Sequence, residues 1–209
     1  MPPVYETLVN IINANQESEA FVTLTLHAAD GSVLASPVTR MLPMNGQIKG
    51  NLWDLFKNDP GLLNQVGWLE VSSTVDRIVG TISFTDDKGS FLTAFHLSGI
   101  PLSNFLFPLV SEDTLFQTGI ALLNSADVPA HVTLELWNPS GLIDAVTSLT
   151  LAPRSRKAES LSNLFPGMMP HTTANLRVRS DQPLHALAIL YDRGLRFLSS
   201  IPPVSVPER

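Results

Sequence analysis

The run Ala20-Phe21-Val22-Thr23-Leu24-Thr25-Leu26 recurs later in the chain as Ala130-His131-Val132-Thr133-Leu134-Glu135-Leu136. Self-similarity of this kind constrains a fold more than any composition does, because each copy must satisfy the same architecture. Each run reaches a glycine at the same distance, in Asp30-Gly31 and Ser140-Gly141. Further on, Asn51-Leu52-Trp53-Asp54-Leu55-Phe56 matches Ser160-Leu161-Ser162-Asn163-Leu164-Phe165. Val71 then aligns with Val178, Phe84 with Tyr191, and Ile100-Pro101 with Ile201-Pro202. Four matches in the same order predict two copies of one unit, domain 1 over residues 1–101 and domain 2 over 102–209. The apolar segment Phe105-Leu106-Phe107-Pro108-Leu109-Val110 reads as a first strand of the second copy, its Phe105, Phe107 and Leu109 on one side.

Within each copy the apolar period is two. Val22, Leu24 and Leu26 face one way and Thr23, Thr25 and His27 the other; Val132, Leu134 and Leu136 oppose Thr133, Glu135 and Trp137. Leu69, Val71, Ile78 and Ile82, and in the second copy Leu176, Val178, Leu187 and Ile189, continue the pattern. Val, Ile, Thr and Phe suit a half-buried pleated surface. Asp30-Gly31, Lys88-Gly89 and Arg193-Gly194 supply turns that need positive φ. Short strands spaced by such turns predict an all-β chain: two tandem antiparallel β-sandwiches, each with one short helical turn. In those turns Asn51 and Ser160 are the N-caps. Leu52, Leu55 and Phe56, like Leu161, Leu164 and Phe165, fall at i, i+3 and i+4, one face that closes the end of a sandwich. The tail Pro202–Pro207 is read as extended, since proline excludes helix and central strand.

Composition then removes functions. Only 15% of the 209 residues are charged, four are Lys, and the net charge is −6, which argues against nucleic-acid binding. There is no cysteine, hence no disulfide framework, no thiolate metal site and no thiol nucleophile. No apolar stretch approaches the ~20 residues of a membrane-spanning helix. Met1-Pro2-Pro3 lacks the charged and apolar regions of a secretory signal, so an exported setting requires that the chain be a mature form or part of a longer one.

The series Thr118–Asn124, Ala130–Leu136, Leu151-Ala152-Pro153, Leu161–Phe165 and Leu176–Leu184 resembles the immunoglobulin-like β-sandwich repeats found in tandem in exported and surface proteins of environmental bacteria. The first copy departs where Val75-Asp76 stands in place of Gln182-Pro183, and over Lys57–Gly67. The residues that carry the resemblance are structural. It implies a sandwich, an extracellular or cell-surface location, and a role as spacer, stalk or adhesive module, with no reaction and no cofactor.

Candidate chemistry is sparse. His27, His96, His131, His171 and His185 show no metal-ligand spacing, and His27 and His131 are placed on outer strand faces in solvent. There is no Gly-x-Ser-x-Gly elbow and no phosphate loop. Asp86-Asp87-Lys88-Gly89 offers turn oxygens to a hard cation, but a hairpin turn uses the same residues. Trp53 lies off the apolar face of its helical turn and Trp137 opposite Leu134 and Leu136; either could stack on a sugar or anchor a partner, though packing against the protein itself is favoured.

The two halves differ in charge, residues 1–104 carrying −5 and 105–209 carrying −1. Arg177 and Arg179 stand where Glu70 and Ser72 do in the first copy, and Arg154 and Arg156 are aligned with Met44 and Gly46. Residues two apart in a strand share a face. If the two strands are neighbours, four guanidiniums line one surface suited to an acidic polysaccharide; an ordinary solvated face is the alternative. The expected function is a non-enzymatic structural or adhesive segment, with a carbohydrate-binding module attached to an enzyme as the second reading. The expected partners are further repeats of the chain, surface polysaccharide or protein.

Overall fold

The computed structural model describes residues 5–62, 65–86, 92–167, 171–194 and 197–207. The fold is all-β and antiparallel, and the chain divides into two compact units, Met1–Leu97 and Ser98–Arg209.

Unit 1 contains β1 (Tyr5–Asn13), β2 (Ala20–Ala28), β3 (Val38–Leu42), β4 (Gln47–Asn51), α1 (Leu52–Leu55), β5 (Gly67–Ser73), β6 (Ile78–Asp86) and β7 (Leu92–His96). One sheet has the order β4-β1-β6-β7 and the other β3-β2-β5. Val9, Ile11 and Ile48 from the first and Val22, Leu24, Val38 and Leu42 from the second fill one core. The alternation in β2 holds for Val22, Leu24 and Leu26. It fails at His27, which is buried at 5% exposure where the sequence placed it in solvent. The cause is cross-strand: β5 sets Trp68 opposite His27, the rings stack at 4.0 Å, and Glu70 Oε2 lies 3.0 Å from Nε2. A partner ring and a carboxylate on the same face withdraw an imidazole that period-two patterning leaves outside.

Unit 2 contains β8 (Leu102–Glu112), β9 (Phe116–Asn124), β10 (Ala130–Trp137), β11 (Ile143–Leu151), β12 (Arg156–Ser160), α2 (Leu161–Leu164), β13 (His171–Asp192), β14 (Leu198–Ile201) and β15 (Val204–Ser205). The long β13 belongs to two layers. Its first half pairs with β10 and β8, and its second half with β9 and β14. Between them the register with β8 breaks from Arg179 to Leu184, across Pro183, which has no N–H to give a ladder. Phe105, Phe107 and Val110 of β8, Ile120 and Leu122 of β9, Leu134 and Leu136 of β10, and Leu176 and Val178 of β13 close a single core. Val110 takes the inward place expected of Leu109, because a register shift between Ala174 and Leu176 inverts the parity of β8 after Phe107. The proline-rich tail is extended, and its Val204 and Ser205 pair with Leu106 and Phe105 on β8.

Both helical turns form with the expected caps. Asn51 accepts a hydrogen bond from the Trp53 amide and Ser160 from the Asn163 amide. Leu161, Leu164 and Phe165 are all buried, whereas in α1 only the following Phe56 is, with Leu52 and Leu55 packed partly against the core. Gly31 adopts a φ of +90°, the conformation read from Asp30-Gly31, and Gly141 in the second unit has a φ of +77°. The Asp86–Gly89 turn, beyond Asp86, lies outside the described residues.

Two sequence alignments shift by one. Ile78 pairs with Asn13 and Leu184 with Asn124, and the path from Val71 to Ile78 is one residue longer than that from Val178 to Leu184. Phe84 therefore has the core-facing parity of Ile82, while Tyr191 has the parity opposite to buried Ala188 and faces out. Likewise Arg154, with φ +56°, holds the place of Asn45, with φ +58°, rather than that of Met44.

Candidate functional site

The four arginines do not share a surface. Arg177 and Arg179 lie in the half of β13 that pairs with β10 and β8, whereas β12, which begins at Arg156, pairs with β9 in the other layer. Strand adjacency was the condition for a guanidinium cluster, and the connection through β13 removes it.

Each arginine instead holds its own neighbourhood. Arg179 Nη1 donates to Glu135 Oε1 at 2.8 Å, and Arg177 donates to Asn104 Oδ1 at 3.3 and 3.4 Å. Glu135 is only 9% exposed, and its Oε2 accepts from Trp137 Nε1 at 3.1 Å. Trp137 is thus half-buried and tied along its own strand, which fits packing against the protein better than a free stacking platform. Arg154 donates to the Ser125 carbonyl at 3.0 Å and reaches Asp127. Arg156 keeps a buried Nε without a hydrogen-bond partner, and burial lowers its pKa. Trp53 is half-buried on α1, its amide held by Asn51.

One pair and one cluster of chemistry-bearing residues escape sequence reading because their members come from separate stretches of the chain. His185 Nδ1 lies 3.1 Å from Ser98 Oγ. The distance suits a nucleophile and its base, and burial lowers the pKa of His185. Yet the facing row, Leu123 of β9 and Arg156 of β12, supplies no acid to the second ring nitrogen. His131, exposed as expected, meets Thr150 Oγ1 at 3.2 Å across β10 and β11.

The cluster is an open concavity at the end of unit 2. Here the β8–β9 hairpin, the end of α2 and the turn after β13 surround a cavity of about 430 Å³ lined by Glu112, Asp113, Thr114, Ser162, Phe165, Gly167 and Arg193. Asp113 shapes its rim: Oδ1 accepts from the amides of Phe116 and Leu115, both at 2.7 Å, and Oδ2 from Ser111 Oγ. Those two amides, Phe116 first, hold the Asp113 carboxyl below the usual range. Arg193 crosses the rim, donating from Nε to the Asp113 carbonyl at 2.9 Å and from Nη2 to Glu112 Oε1 at 3.2 Å. Gln117 Nε2 reaches the same Oε1 at 3.0 Å. The other oxygen, Glu112 Oε2, is buried without a hydrogen-bond partner. A carboxylate beside a hairpin gives no sequence signal, since Glu112-Asp113 reads as an ordinary turn. Among the described residues no group of three or more His, Cys, Asp or Glu is placed to hold a metal ion.

Residues 99–185 match the model of a family described as a family of unknown function, DUF5719. That segment includes every residue lining the cavity except Arg193. No curated protein matches the chain. Among solved structures, the chain is similar to an Anabaena sensory rhodopsin transducer, at 19% identity over 44% of this chain and 86% of that one, with a TM-score of 0.38. It is also similar to Thermotoga maritima 1070, at 11% identity over 51% and 96% of the two chains, with a TM-score of 0.43.

Proposed function

We propose that this chain is a non-enzymatic structural or adhesive segment, two copies of one immunoglobulin-like sandwich repeat within an exported protein. The observation that carries the reading is a buried asparagine bracket in the same place in both units. Asn13, at 0% exposure, donates to the carbonyls of Ser18, Leu42 and Pro43, and accepts from the Asn15 amide. Asn124, also at 0%, donates to the carbonyls of Val128, Leu151 and Ala152, and accepts from the Ala126 amide. Each bracket locks the end of a central strand to two loops. Polar groups of this kind, like Arg179–Glu135, serve the fold.

The location and role are tested on intact cells that make the protein. A membrane-impermeant amine-reactive label should modify Lys49 or Lys157, both on exposed strands, before lysis. Labelling only after lysis would overturn the exported reading. An adhesive role predicts that deleting the segment lowers retention of cells on their natural surface, whereas retention unchanged by the deletion leaves a spacer role only.

A further inference from the structure

We infer that β11 is an open sheet edge that pairs antiparallel with the β11 of a second copy of this chain. The inference does not depend on the structural or adhesive role proposed above.

An edge strand presents alternate N–H and C=O groups that can template pairing with another chain, and proteins guard such edges with charge, proline or shortness. Unit 1 guards the edge that corresponds to β11. Ala20 pairs with Leu42 as Ala130 pairs with Leu151, so Val38 holds the place of Thr147. Pro37, directly before β3, has no N–H with which to lengthen the strand. Arg40, paired with buried Val22, sets a charge on the core-facing side of the edge. Unit 2 has Val146 and Leu149 at these two places. There β11 continues for nine residues without Pro, Lys or Arg. It pairs with β10 on one side, and no described strand pairs with the other. At the opposite edge of the same sheet, β12 has five residues and carries Arg156, Lys157 and Glu159.

The strand's own sequence selects the occupant. Its one register shift lies before Ala145, so Ala145–Leu151 is regular. A two-fold axis at Ser148 sets that stretch opposite its copy and keeps both core faces on the same side of the joined sheet. On the outer face Val146 then meets Thr150 and Ser148 meets Ser148; on the core face Thr147 meets Leu149 and Ala145 meets Leu151. Ala145–Leu151 carries no charge, so no like charges stand opposite one another although each chain is net −6. Both copies use the same edge, and the assembly therefore closes as a dimer. One strand pair is a small interface, so the expected Kd is on the order of 100 μM.

The test is analytical ultracentrifugation of the whole chain, from about 5 μM to about 1 mM, to bracket that Kd. Ser148 is exposed, so its variants leave the core of unit 2 intact. Ser148→Lys or Ser148→Asp sets two like charges face to face at the axis and should each weaken self-association about tenfold or more. Mixing the two variants should restore it. In the parent, hydrogen exchange of the peptide covering Ala145–Leu151 should slow as concentration rises, because the outward amides become paired. The proposal is overturned if the parent stays monomeric throughout, or if either variant alone associates as the parent does. It is equally overturned if the mixture associates no better than its components, or if the added protection falls on another strand.

Discussion

Replacing Asn124 by alanine tests the bracket at the end of β9. Its amide donates to the Val128 carbonyl at 2.8 Å and the Ala152 carbonyl at 3.0 Å, and its Oδ1 accepts from the Ala126 amide at 3.1 Å. The contact to the Leu151 carbonyl, at 3.5 Å, is too long to count for much. Three good bonds at roughly 1 kcal/mol net each give about 3 kcal/mol. Carbonyls left buried and unpaired raise the cost towards about 5 kcal/mol. Hydrogen–deuterium exchange of the peptide covering Ala130–Trp137 reads the loss directly, since those amides exchange only when the sheet opens. A drop of about 3 kcal/mol speeds their exchange by about two orders of magnitude. Asn124→Asp discriminates further. It keeps the acceptor for Ala126 but turns a carboxylate towards two carbonyl oxygens, so at neutral pH it should cost at least as much as alanine. The reasoning is refuted if Asn124→Ala costs less than about 1 kcal/mol, or if Asn124→Asp matches the parent within a few tenths.

Three further outcomes follow from packing and burial. Leu161→Ala removes a side chain at 0% exposure and should cost about 2–5 kcal/mol in denaturant unfolding, against a smaller loss for the half-buried Leu52→Ala; equal losses would contradict the difference between the two helical turns. Gly67→Ala should destabilise strongly, because a Cβ there would collide with the His27 carbonyl oxygen, whereas Gly99→Ala meets nothing within 4 Å and should leave the melting temperature unchanged. Burial disfavours the His185 imidazolium, so its folded pKa lies below the ordinary 6.5. As pH falls from about 6.5, the unfolded chain takes up a proton that the folded one resists, and stability declines. His185→Gln should flatten that part of the stability profile, and a profile identical to the parent's would exclude His185 as its source.

Local pattern was enough to predict the strands and the two helical turns. The alternation of Val22, Leu24 and Leu26, the positive φ of Gly31, and the caps Asn51 and Ser160 are properties of a few neighbouring residues, and they form as read. Parity across a long connection is not local. One additional residue between Val71 and Ile78 turns Phe84 inward where Tyr191 faces out, and a register shift on β8 buries Val110 instead of Leu109. Nor does sequence say which strands become neighbours. The passage of β13 from one layer to the other separates Arg177 and Arg179 from Arg156, while Trp68 and Glu70 draw His27 out of solvent. The cavity is furthest from the sequence. Glu112, Ser162 and Arg193 come from three separate stretches, and Glu112 has no signature there; only the closing of the sandwich end buries its carboxylate and leaves one oxygen without a partner. Side-chain periodicity follows from bond geometry along one strand, whereas sites follow from which strands pair, and pairing is settled by the burial of the whole core.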